Sequence, residues 1–229
     1  MENRVALMSG ASGGIGGCIA QSLTQRGWSL SLGARDPESL AQRFPDAHVI
    51  RHDATAGDEE TWASVARERF GRIDAVICSA GITSPHDVIE IEDETLGRMW
   101  EINVNSPRRL VRAAWPDLVA CGQGRVILLV SLSGKRVRSA ASSSYALTKH
   151  AALALSHGLR RKGWADGVRA TAICPGRVRT NMTCGMTGIA PEDMTQPENV
   201  AAMVDLALDM PNTASVAEMM VNCDPEDQY

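Results

Sequence analysis

The sequence predicts an α/β fold in which about seven parallel strands form one doubly wound sheet with helices on both faces, within a single domain spanning residues 1–229. Three observations predict this fold. Short β-type runs alternate with helical patterns along the whole chain. No linker or low-complexity segment interrupts them, and right-handed crossovers then place helices on both faces of the sheet. A glycine-rich turn follows the first strand and opens a helix, at the sheet edge where ligands bind in such folds.

The first half of the chain contains four predicted strands and the helices that connect them. After the strand at residues 5–8, apolar residues recur at every fourth position from Ile15 until Gly27 ends the helix. The second strand alternates polar and apolar residues, whereas the fourth is a continuous apolar run, typical of burial on both faces. Beyond Gly27, strands are predicted at residues 29–33, 47–50 and 73–78, and helices at residues 37–44 and 59–70.

The second half of the chain contains three more predicted strands. Apolar stripes at helical spacing mark a long helix before the fifth strand and a last helix that Pro197 opens. The helix between strands five and six contains SSYALTKH and ends in three basic residues before Gly163, which suit the helix dipole and a glycine cap. The stripes comprise Leu96, Met99, Trp100 and Val104, then Val200, Met203, Val204, Ala207 and Leu208; the strands are predicted at residues 125–131, 168–174 and 215–223.

Composition argues against several classes of protein. The chain has 229 residues, 44% of them hydrophobic and 22% charged, with a net charge of −4, as in globular proteins with one sizeable core. The mild acidity gives no reason to expect nucleic acid or a membrane surface as a partner. No apolar run approaches the roughly twenty residues of a membrane span, and no signal-peptide pattern is present. Six scattered cysteines without CxxC pairs favour reduced thiols in a cytoplasmic protein without a metal site.

The turn after the first strand, SGASGGIGG, predicts a phosphate-binding site. Gly10, Gly14 and Gly16 let the backbone approach a pyrophosphate closely. The start of the following helix offers free N–H groups and the positive end of its dipole. A tight strand–helix turn that binds nothing is the alternative interpretation.

Residues at the ends of strands two and three bear on the choice of nucleotide. The acidic residue that would accept the ribose hydroxyls of NAD is replaced by Ala34, and the next residue, Arg35, has a planar guanidinium suited to a 2′-phosphate. Arg35 could instead pair with Asp36 or Glu38, and no second basic residue in the glycine turn supports it. Asp53 is placed to accept from an adenine amino group, unless it serves a turn or a helix cap. These residues favour NADP, with NAD as the alternative.

The stretch SSYALTKH places Tyr145 and Lys149 four residues apart, on one face of the predicted helix. A free tyrosine has a pKa near 10, and a cation at about 4 Å lowers that pKa by roughly three units at most. Lys149 is therefore expected to bring the pKa of the phenol towards the neutral range, where acid–base catalysis is efficient. A tyrosine and a lysine on a solvated helix face are the alternative.

Two further polar residues are predicted near this pair. Ser131 ends strand five at the ligand-binding edge, where its hydroxyl could polarise a substrate oxygen, although serine is also common in turns. Asn103 interrupts the apolar stripe of the preceding helix, and Pro107 clashes with the carbonyl of Asn103 and cannot donate to it. The freed carbonyl then needs another partner such as water, unless the position is only a helix kink.

Together these motifs resemble the single-domain branch of the short-chain dehydrogenase/reductase family, whose fold is of the Rossmann type. The resemblance implies a reversible transfer of hydride between a nicotinamide cofactor and a carbonyl or alcohol carbon. The matching pieces run through nearly the whole chain: the glycine turn at residues 10–16, Asp53, SAG at 79–81, INVN at 102–105, SLSG at 131–134, YALTK at 145–149 and PGRVRTNM at 175–182.

The resemblance also implies a role for each matching residue. Tyr145 would be the general acid/base, and Ser131 would hold and polarise the substrate oxygen. Lys149 would bind the nicotinamide ribose and lower the pKa of the tyrosine, and Asn103 would hold a relay water through its main chain. The residues expected to bind the cofactor are Gly10, Ser12, Gly13, Gly14, Ile15, Gly16, Arg35, Asp53, Ala54, Ser79, Ala80, Gly81, Tyr145, Lys149, Pro175, Gly176, Val178 and Thr180.

The chain departs from the family pattern at several positions. Cys78 and Ser79 stand where the family has two asparagines, and Ser9 stands where threonine is usual. The interval from Ser131 to Tyr145 is one residue longer than usual, which makes Ser133 an alternative to Ser131. The segment that usually closes over the substrate is short, and the carboxyl end lacks a frequent glycine pair. We expect a homodimer through the helices starting near residues 95 and 142, or a homotetramer.

The predicted function is that of an oxidoreductase for a small carbonyl or alcohol substrate. A nucleotide sensor without turnover is the alternative, against which the complete set of Ser131, Tyr145 and Lys149 argues. An extended-branch epimerase would need a substrate domain, and a methyltransferase would have no use for the Tyr–Lys pair. The positions expected near the substrate are Thr83, His86, Ser133, Arg136, Ser139, Arg177, Met182 and Met186.

The character of the substrate is less defined by the sequence. Lys135, Arg136 and Arg177 suggest an acidic substrate group, although surface charge explains these residues equally well. Two phenylalanines and two tyrosines in the whole chain give little support for an aromatic sterol pocket.

Overall fold

The computed structural model describes residues 4–185 and 188–225. Within them, seven parallel strands form one sheet in the order β3-β2-β1-β4-β5-β6-β7. The strands are β1 (Val5–Ser9), β2 (Ser29–Ala34), β3 (His48–Arg51), β4 (Ala75–Cys78), β5 (Arg125–Leu129), β6 (Arg169–Pro175) and β7 (Glu218–Val221). The doubly wound sheet predicted from the alternation of patterns is confirmed.

Helices connect the strands and cover both faces of the sheet. Three short 3₁₀ turns lie at residues 132–134, 140–142 and 191–193. The α-helices are α1 (Gly14–Gln25), α2 (Pro37–Arg43), α3 (Glu59–Phe70), α4 (Asp93–Trp100), α5 (Ser106–Ala120), α6 (Ser143–Lys162) and α7 (Pro197–Asp209).

Alternation along the strands divides the buried residues into two cores. Met8 on β1 faces one core, which it shares with Ile19 of α1 and Val204 of α7. Its neighbour Leu7 faces the other core, which contains Leu110 of α5. Successive side chains of a strand point to opposite faces, so a buried strand between two helical layers must be apolar on both faces.

The observed elements differ from the sequence prediction mainly at their ends. β5 stops at Leu129 because Ser131 already caps a 3₁₀ turn, accepting from the Ser133 N–H at 3.1 Å. β7 is shorter than the predicted run at residues 215–223. The single long helix expected before β5 is α4 and α5 joined by a π-helical turn at Glu101–Asn105.

Candidate active site

A cleft of about 630 Å³ opens at the carboxyl ends of the strands. It is lined by all eighteen residues that the sequence predicted to bind a cofactor, from Gly10 in the first turn to Thr180 after β6. Chain segments that are far apart in sequence meet there because the carboxyl ends of parallel strands share one edge of the sheet.

The glycine turn forms one wall of the cleft. Gly10 has a φ of 81°, and a Cβ at this position would lie 2.5 Å from the backbone nitrogen of Ala80. A Cβ on Gly16 would lie 2.0 Å from the carbonyl oxygen of Gly10. Any larger residue would therefore separate the turn from the loop after β4. α1 begins after Gly13 with neither a side-chain cap nor an acidic residue in its first turn, which leaves its first N–H groups and its dipole facing the cleft.

Arg35 lies exposed at the end of β2 and lines the cleft. The alternative of a surface ion pair is not observed among the described residues. Asp36 is used elsewhere, since its carboxylate caps α2 by accepting from the Ser39 N–H at 3.2 Å. The positive charge of Arg35 acts on Asp53 across the cleft mouth and helps to lower the pKa of that carboxyl.

Asp53 serves a turn, which is one of the two roles that the sequence left open. Its Oδ1 accepts from the N–H of Thr55 at 2.9 Å and from the hydroxyl of Thr55 at 2.7 Å, which makes it a turn aspartate. These two bonds are the main reason that its pKa is lowered. Among the described contacts, Oδ2 accepts no hydrogen bond. Because Asp53 also lines the cleft, this oxygen is the one suited to an adenine amino group.

Arg43 is a basic residue near the glycine turn that sequence reasoning missed. It lies at the end of α2, and its Nη1 donates to the carbonyl oxygen of Ser12 at 3.4 Å. Arg43 belongs to α2, so the expectation that no second basic residue within the glycine turn supports Arg35 still holds. Arg43 is not among the residues that line the cleft.

Tyr145 and Ser131 face each other in the cleft. The two side chains share a hydrogen bond, and the hydroxyl of Ser131 also donates to the carbonyl oxygen of Pro175 at 3.4 Å. Burial raises the pKa of Tyr145 to about 12, and the bond with Ser131 lowers it only in part. The fall of this pKa that was expected from Lys149 is not found within the protein alone, because the loss of water around the phenol outweighs the hydrogen bond with Ser131.

Lys149 is buried beneath the tyrosine. Its Nζ donates to the carbonyl oxygen of Leu129 at 2.9 Å and lies 5.6 Å from the centre of the Tyr145 ring. Only 4% of the lysine is exposed, and burial lowers its pKa to about 8. Lys149 thus lies close to the tyrosine ring and remains mostly protonated at pH 7.

Asn103 is buried in the π-helical turn and uses its side chain as a clamp. Its Nδ2 donates to the carbonyl oxygen of Ile82 at 2.9 Å and to the hydroxyl of Thr148 at 3.0 Å. Its Oδ1 accepts from the Ile82 N–H at 2.9 Å. Asn103 does not line the cleft; it joins the loop after β4 to the helix that carries Tyr145 and Lys149.

The π-helical turn accounts for the irregularity predicted at this position. The N–H of Ser106 bonds to the carbonyl of Glu101, five residues earlier, which inserts one residue into the helix. Pro107 follows at once and cannot donate a backbone hydrogen bond. The relay water expected at the main chain of Asn103 stays a prediction.

The predicted substrate residues separate into two groups. Met182 lines the cleft and is 49% exposed. Ser133, Arg136 and Arg177 do not line it, and Arg177 pairs with Asp224.

The remaining predicted positions serve local structure. Lys135 forms an ion pair of 2.7 Å with Glu218, so surface charge pairing accounts for it. The carbonyl of His86 accepts from Ser144 at 2.6 Å, and Ser139 caps the turn at residues 140–142. Thr83 is exposed and lies outside the cleft lining. Met186 lies outside the described residues.

Several residues of the cleft wall escaped the sequence analysis. Their common feature is that none was assigned to cofactor or substrate, although Ser9, Ile102 and Asn181 lie within the quoted motifs. They are Ser9, Gly33, Ala34, His52, Thr55, Ile82, Arg98, Ile102, Leu129, Val130, Asn181 and Thr183.

Metal and membrane sites were also sought. Among the described residues, no group of three or more His, Cys, Asp or Glu side chains could hold a metal ion. Within the same part of the chain, no helix combines the length and apolar character needed to cross a membrane.

Comparison with known proteins assigns the family. The family model for short chain dehydrogenases matches residues 4–187. The chain belongs to the short-chain dehydrogenase family. An alcohol dehydrogenase structure from the archaeon Thermococcus sibiricus, complexed with 5-hydroxy-NADP, superimposes with a TM-score of 0.86 at 29% identity, covering 98% of this chain and 100% of that one.

Two curated relatives of this short-chain dehydrogenase differ in sequence identity and in how much of their length the chain covers. An agropine synthesis reductase of Rhizobium rhizogenes is 39% identical over 228 residues, which is 97% of this chain and 53% of the relative. The chain thus spans about half the length of that reductase. The oxidoreductase UcpA of Escherichia coli is 31% identical over 229 residues, covering 96% of this chain and 85% of the relative.

The cleft of this short-chain dehydrogenase fits a nicotinamide dinucleotide. The glycine turn provides a backbone surface and free N–H groups for a pyrophosphate, and Asp53 provides an acceptor for an adenine amino group. Pro175 and Gly176 line the opposite end, beside Ser131 and Tyr145. The distribution of these groups matches the two halves of such a molecule.

Proposed function

We propose that this chain is an oxidoreductase that uses NADP(H) and acts on the carbonyl or hydroxyl carbon of a small substrate. The observation that carries the proposal is the convergence of Ser131, Tyr145 and Lys149 on a cleft that also contains a pyrophosphate-binding glycine turn. A protein that only sensed the nucleotide would have no use for the first two side chains at the end of the cleft remote from Asp53.

The proposed mechanism assigns proton transfer to the protein. The bound nicotinamide supplies the hydride in reduction and accepts it in oxidation. Tyr145 donates its phenolic proton to the carbonyl oxygen as the alcohol forms, and takes it back in the reverse direction. A pKa of about 12 keeps this phenol protonated at neutral pH, which supports reduction as the direction for which the protein alone is prepared.

Ser131 and Lys149 support the tyrosine in different ways. The Ser131 hydroxyl, in hydrogen-bond contact with Tyr145, donates to the same substrate oxygen and orients it. Lys149 provides a buried cation, one of whose hydrogen bonds goes to Leu129. We assign its other N–H groups to the nicotinamide ribose, and its charge to stabilising the phenolate that proton transfer leaves.

The mechanism predicts that Tyr145→Phe abolishes turnover while NADPH still binds. The ring and its packing are kept, but the proton donor is lost, so we expect kcat to fall by about 10²–10⁴-fold. A spectrophotometric panel of ketones, aldehydes and alcohols with each cofactor measures turnover, and fluorescence titration measures NADPH binding. Undiminished activity of the variant would refute the mechanism.

A matched serine pair controls this experiment. Ser131→Ala should lower kcat as well, whereas Ser133→Ala should leave it nearly unchanged because Ser133 does not line the cleft. NADPH binding by the wild-type protein without turnover of any substrate class would favour the sensor over the enzyme.

The choice of NADP rests on Arg35. This guanidinium is exposed at the cleft, forms no ion pair among the described residues, and stands where an acidic residue would select NAD. We predict that Arg35→Ala weakens NADPH binding at least about tenfold more than NADH binding, because a charge-assisted contact with a 2′-phosphate is lost. Titration calorimetry with both cofactors measures the two affinities.

Arg161→Ala is the matched control for Arg35→Ala, because Arg161 is exposed at the end of α6 and does not line the cleft. Equal losses of NADPH and NADH affinity in Arg35→Ala would contradict the assignment. The neighbouring structure from Thermococcus sibiricus, whose ligand is a derivative of NADP, supports the assignment.

The proposal also covers the domain organisation, the location, the partners and the assembly of the protein. We propose one catalytic domain over residues 1–229, acting in the cytoplasm on a small molecule without nucleic acid or membrane partners, and assembled as a homodimer or homotetramer. The six cysteines, all without disulfide partners, support a reducing compartment.

A further inference from the structure

Arg109, on α5 behind the cleft, joins three segments of the chain through one guanidinium group. Its Nε donates to Oε2 of Glu59 at 2.7 Å, and its Nη2 donates to Oε1 of the same carboxylate at 3.0 Å. The Nη2 also donates to the backbone carbonyl of Ala54 at 2.9 Å. The Nη1 bonds to Oε1 of Glu101, the first residue of the π-helical turn. No motif of the family resemblance includes this arginine.

The ion pair between Arg109 and Glu59 lies in the interior. Glu59 is 1% exposed and the Arg109 side chain 17% exposed. Burial raises the pKa of Glu59, but hydrogen bonds from Arg109 and Ser106 outweigh it, so the pKa is lowered overall. A buried, bidentate pair of this kind has a narrow range of geometries and therefore holds its contacts rigidly.

The contact with Ala54 reaches the adenine end of the cleft. Asp53 and Ala54 both line the cleft, and the loop that carries them is closed by a hydrogen bond of 2.5 Å between Nδ1 of His52 and Oδ1 of Asp58. That pair holds the ends of the loop, whereas the bond from Arg109 holds its middle. Arg109 itself does not line the cleft, so it acts on the loop from behind.

The contact with Glu101 reaches the wall of the cleft that faces this loop, also at the adenine end. Oε2 of Glu101 accepts from Nδ2 of Asn105 at 2.7 Å within the π-helical turn. The next residue, Ile102, lines the cleft. One guanidinium thus fixes both the loop at Ala54 and the turn at Ile102.

We propose that Arg109 is a positioning residue for the adenosine half of the cofactor. It holds the backbone at Ala54 and the turn at Ile102 in the separation that the adenine requires, before the cofactor binds. The inference rests on the proposed function, since it takes a nicotinamide dinucleotide as the ligand of the cleft. It assigns Arg109 no part in proton transfer, and the residues at the nicotinamide end are independent of it.

The test uses two variants. Arg109→Lys keeps the positive charge but loses the forked guanidinium that binds the carboxylate with two hydrogen bonds. The double variant Arg109→Met, Glu59→Gln removes both buried charges together, so that neither is left unpaired in the folded protein. The probes are NADPH and 2′,5′-ADP, which contains only the adenosine half. Titration calorimetry should find both probes weakened by the same factor, about tenfold or more, as the backbone at Ala54 loses its partner. At saturating NADPH, kcat should change less than twofold.

Arg67→Lys is the matched control. Arg67 also forms a bidentate pair between α3 and α5, with Asp117 at 2.7 Å, and donates to the carbonyl of Ala113 at 3.2 Å, but it does not line or adjoin the cleft. Its variant should bind both probes like the wild-type protein. Circular dichroism and thermal unfolding establish that each variant is folded.

Each result has one meaning. NADPH affinity within twofold of wild type in a folded Arg109 variant overturns the inference, and so does a loss for NADPH that 2′,5′-ADP does not share. A loss of similar size in Arg67→Lys would reduce Arg109 to a general packing role and would also overturn it. If the wild-type protein bound neither NADPH nor NADH, the proposed function would fall, and this inference with it.

Discussion

At the scale of single residues, Tyr145 and Lys149 have pKa values shifted in opposite directions by one cause. Burial disfavours the charged form of each group, so the pKa of the phenol rises to about 12 and that of the ammonium falls to about 8. The two shifts move the pKa values apart. Both the proton donor and the cation are shielded from water. Such groups are suited to a site in which negative charge develops on a substrate oxygen.

The shift at Lys149 predicts a gain of stability when this lysine is removed. Unfolded, the ammonium keeps its pKa near 10.5; folded, it releases its proton near 8, so below pH 8 the native state carries a costly buried charge. We expect Lys149→Met to stabilise the protein at pH 7 by up to about 3 kcal/mol while abolishing activity. Urea unfolding at several pH values measures the difference.

The sign of the pH dependence tests the cause. Between pH 8 and 10.5 Lys149 holds its proton in the unfolded chain but not in the native state, so the cost of its buried charge falls as the pH rises and the advantage of Lys149→Met over the wild type should disappear. Lys162→Met, at the exposed end of the same helix, should show no such dependence. A constant advantage across this pH range would contradict burial as the cause.

At the scale of elements, the π-helical turn between α4 and α5 determines what Asn103 can reach. The inserted residue widens the helix at Glu101–Asn105, and the side chain of Asn103 spans from the loop after β4 to α6. The sequence drew attention to the main chain at this position, through Pro107. The structure adds that the asparagine side chain holds two walls of the active site together.

We predict that Asn103→Ala destabilises the protein by about 2–4 kcal/mol. Three hydrogen bonds are lost, one buried and two part-buried, and the backbone groups of Ile82 are left without their partner. Asn105→Ala, which loses one part-buried bond to Glu101, is the matched control and should cost less than about 1.5 kcal/mol. Denaturant unfolding of both variants gives the comparison; similar values for the two would argue against the clamp.

At the scale of the whole molecule, both faces of the sheet are covered, yet large apolar side chains remain exposed on the outer helices. Trp100 on α4 is 38% exposed and Leu147 on α6 is 45% exposed. These two helices are the ones through which a dimer was expected from the sequence. Large exposed apolar residues on neighbouring helices are typical of surfaces that associate.

We predict that Leu147→Glu reduces the size of the assembly in solution. A charge at the centre of an apolar interface has no partner there, so association should weaken at least about tenfold. Leu206→Glu is the control, because Leu206 is 54% exposed on α7, which packs on the opposite face of the sheet. Sedimentation velocity of the three proteins measures the assembly, and an unchanged profile for Leu147→Glu would remove these helices from the interface.

The sequence by itself determined what depends on neighbours along the chain. Apolar periodicity specified the strands and helices, and the spacing of Tyr145 and Lys149 set them on one helix face, because both are local properties of a regular backbone. The order of motifs was enough to identify the cleft wall, including every predicted cofactor residue.

Only the tertiary structure decided what depends on burial and on distant partners. The pKa of Tyr145 rises rather than falls because the cleft removes water, which no spacing reveals. Arg177 turned out to pair with Asp224 instead of facing a substrate, and Arg109 meets Glu59 across fifty residues of sequence. Desolvation and charge pairing act through space, so they follow from the packing of segments and not from their order.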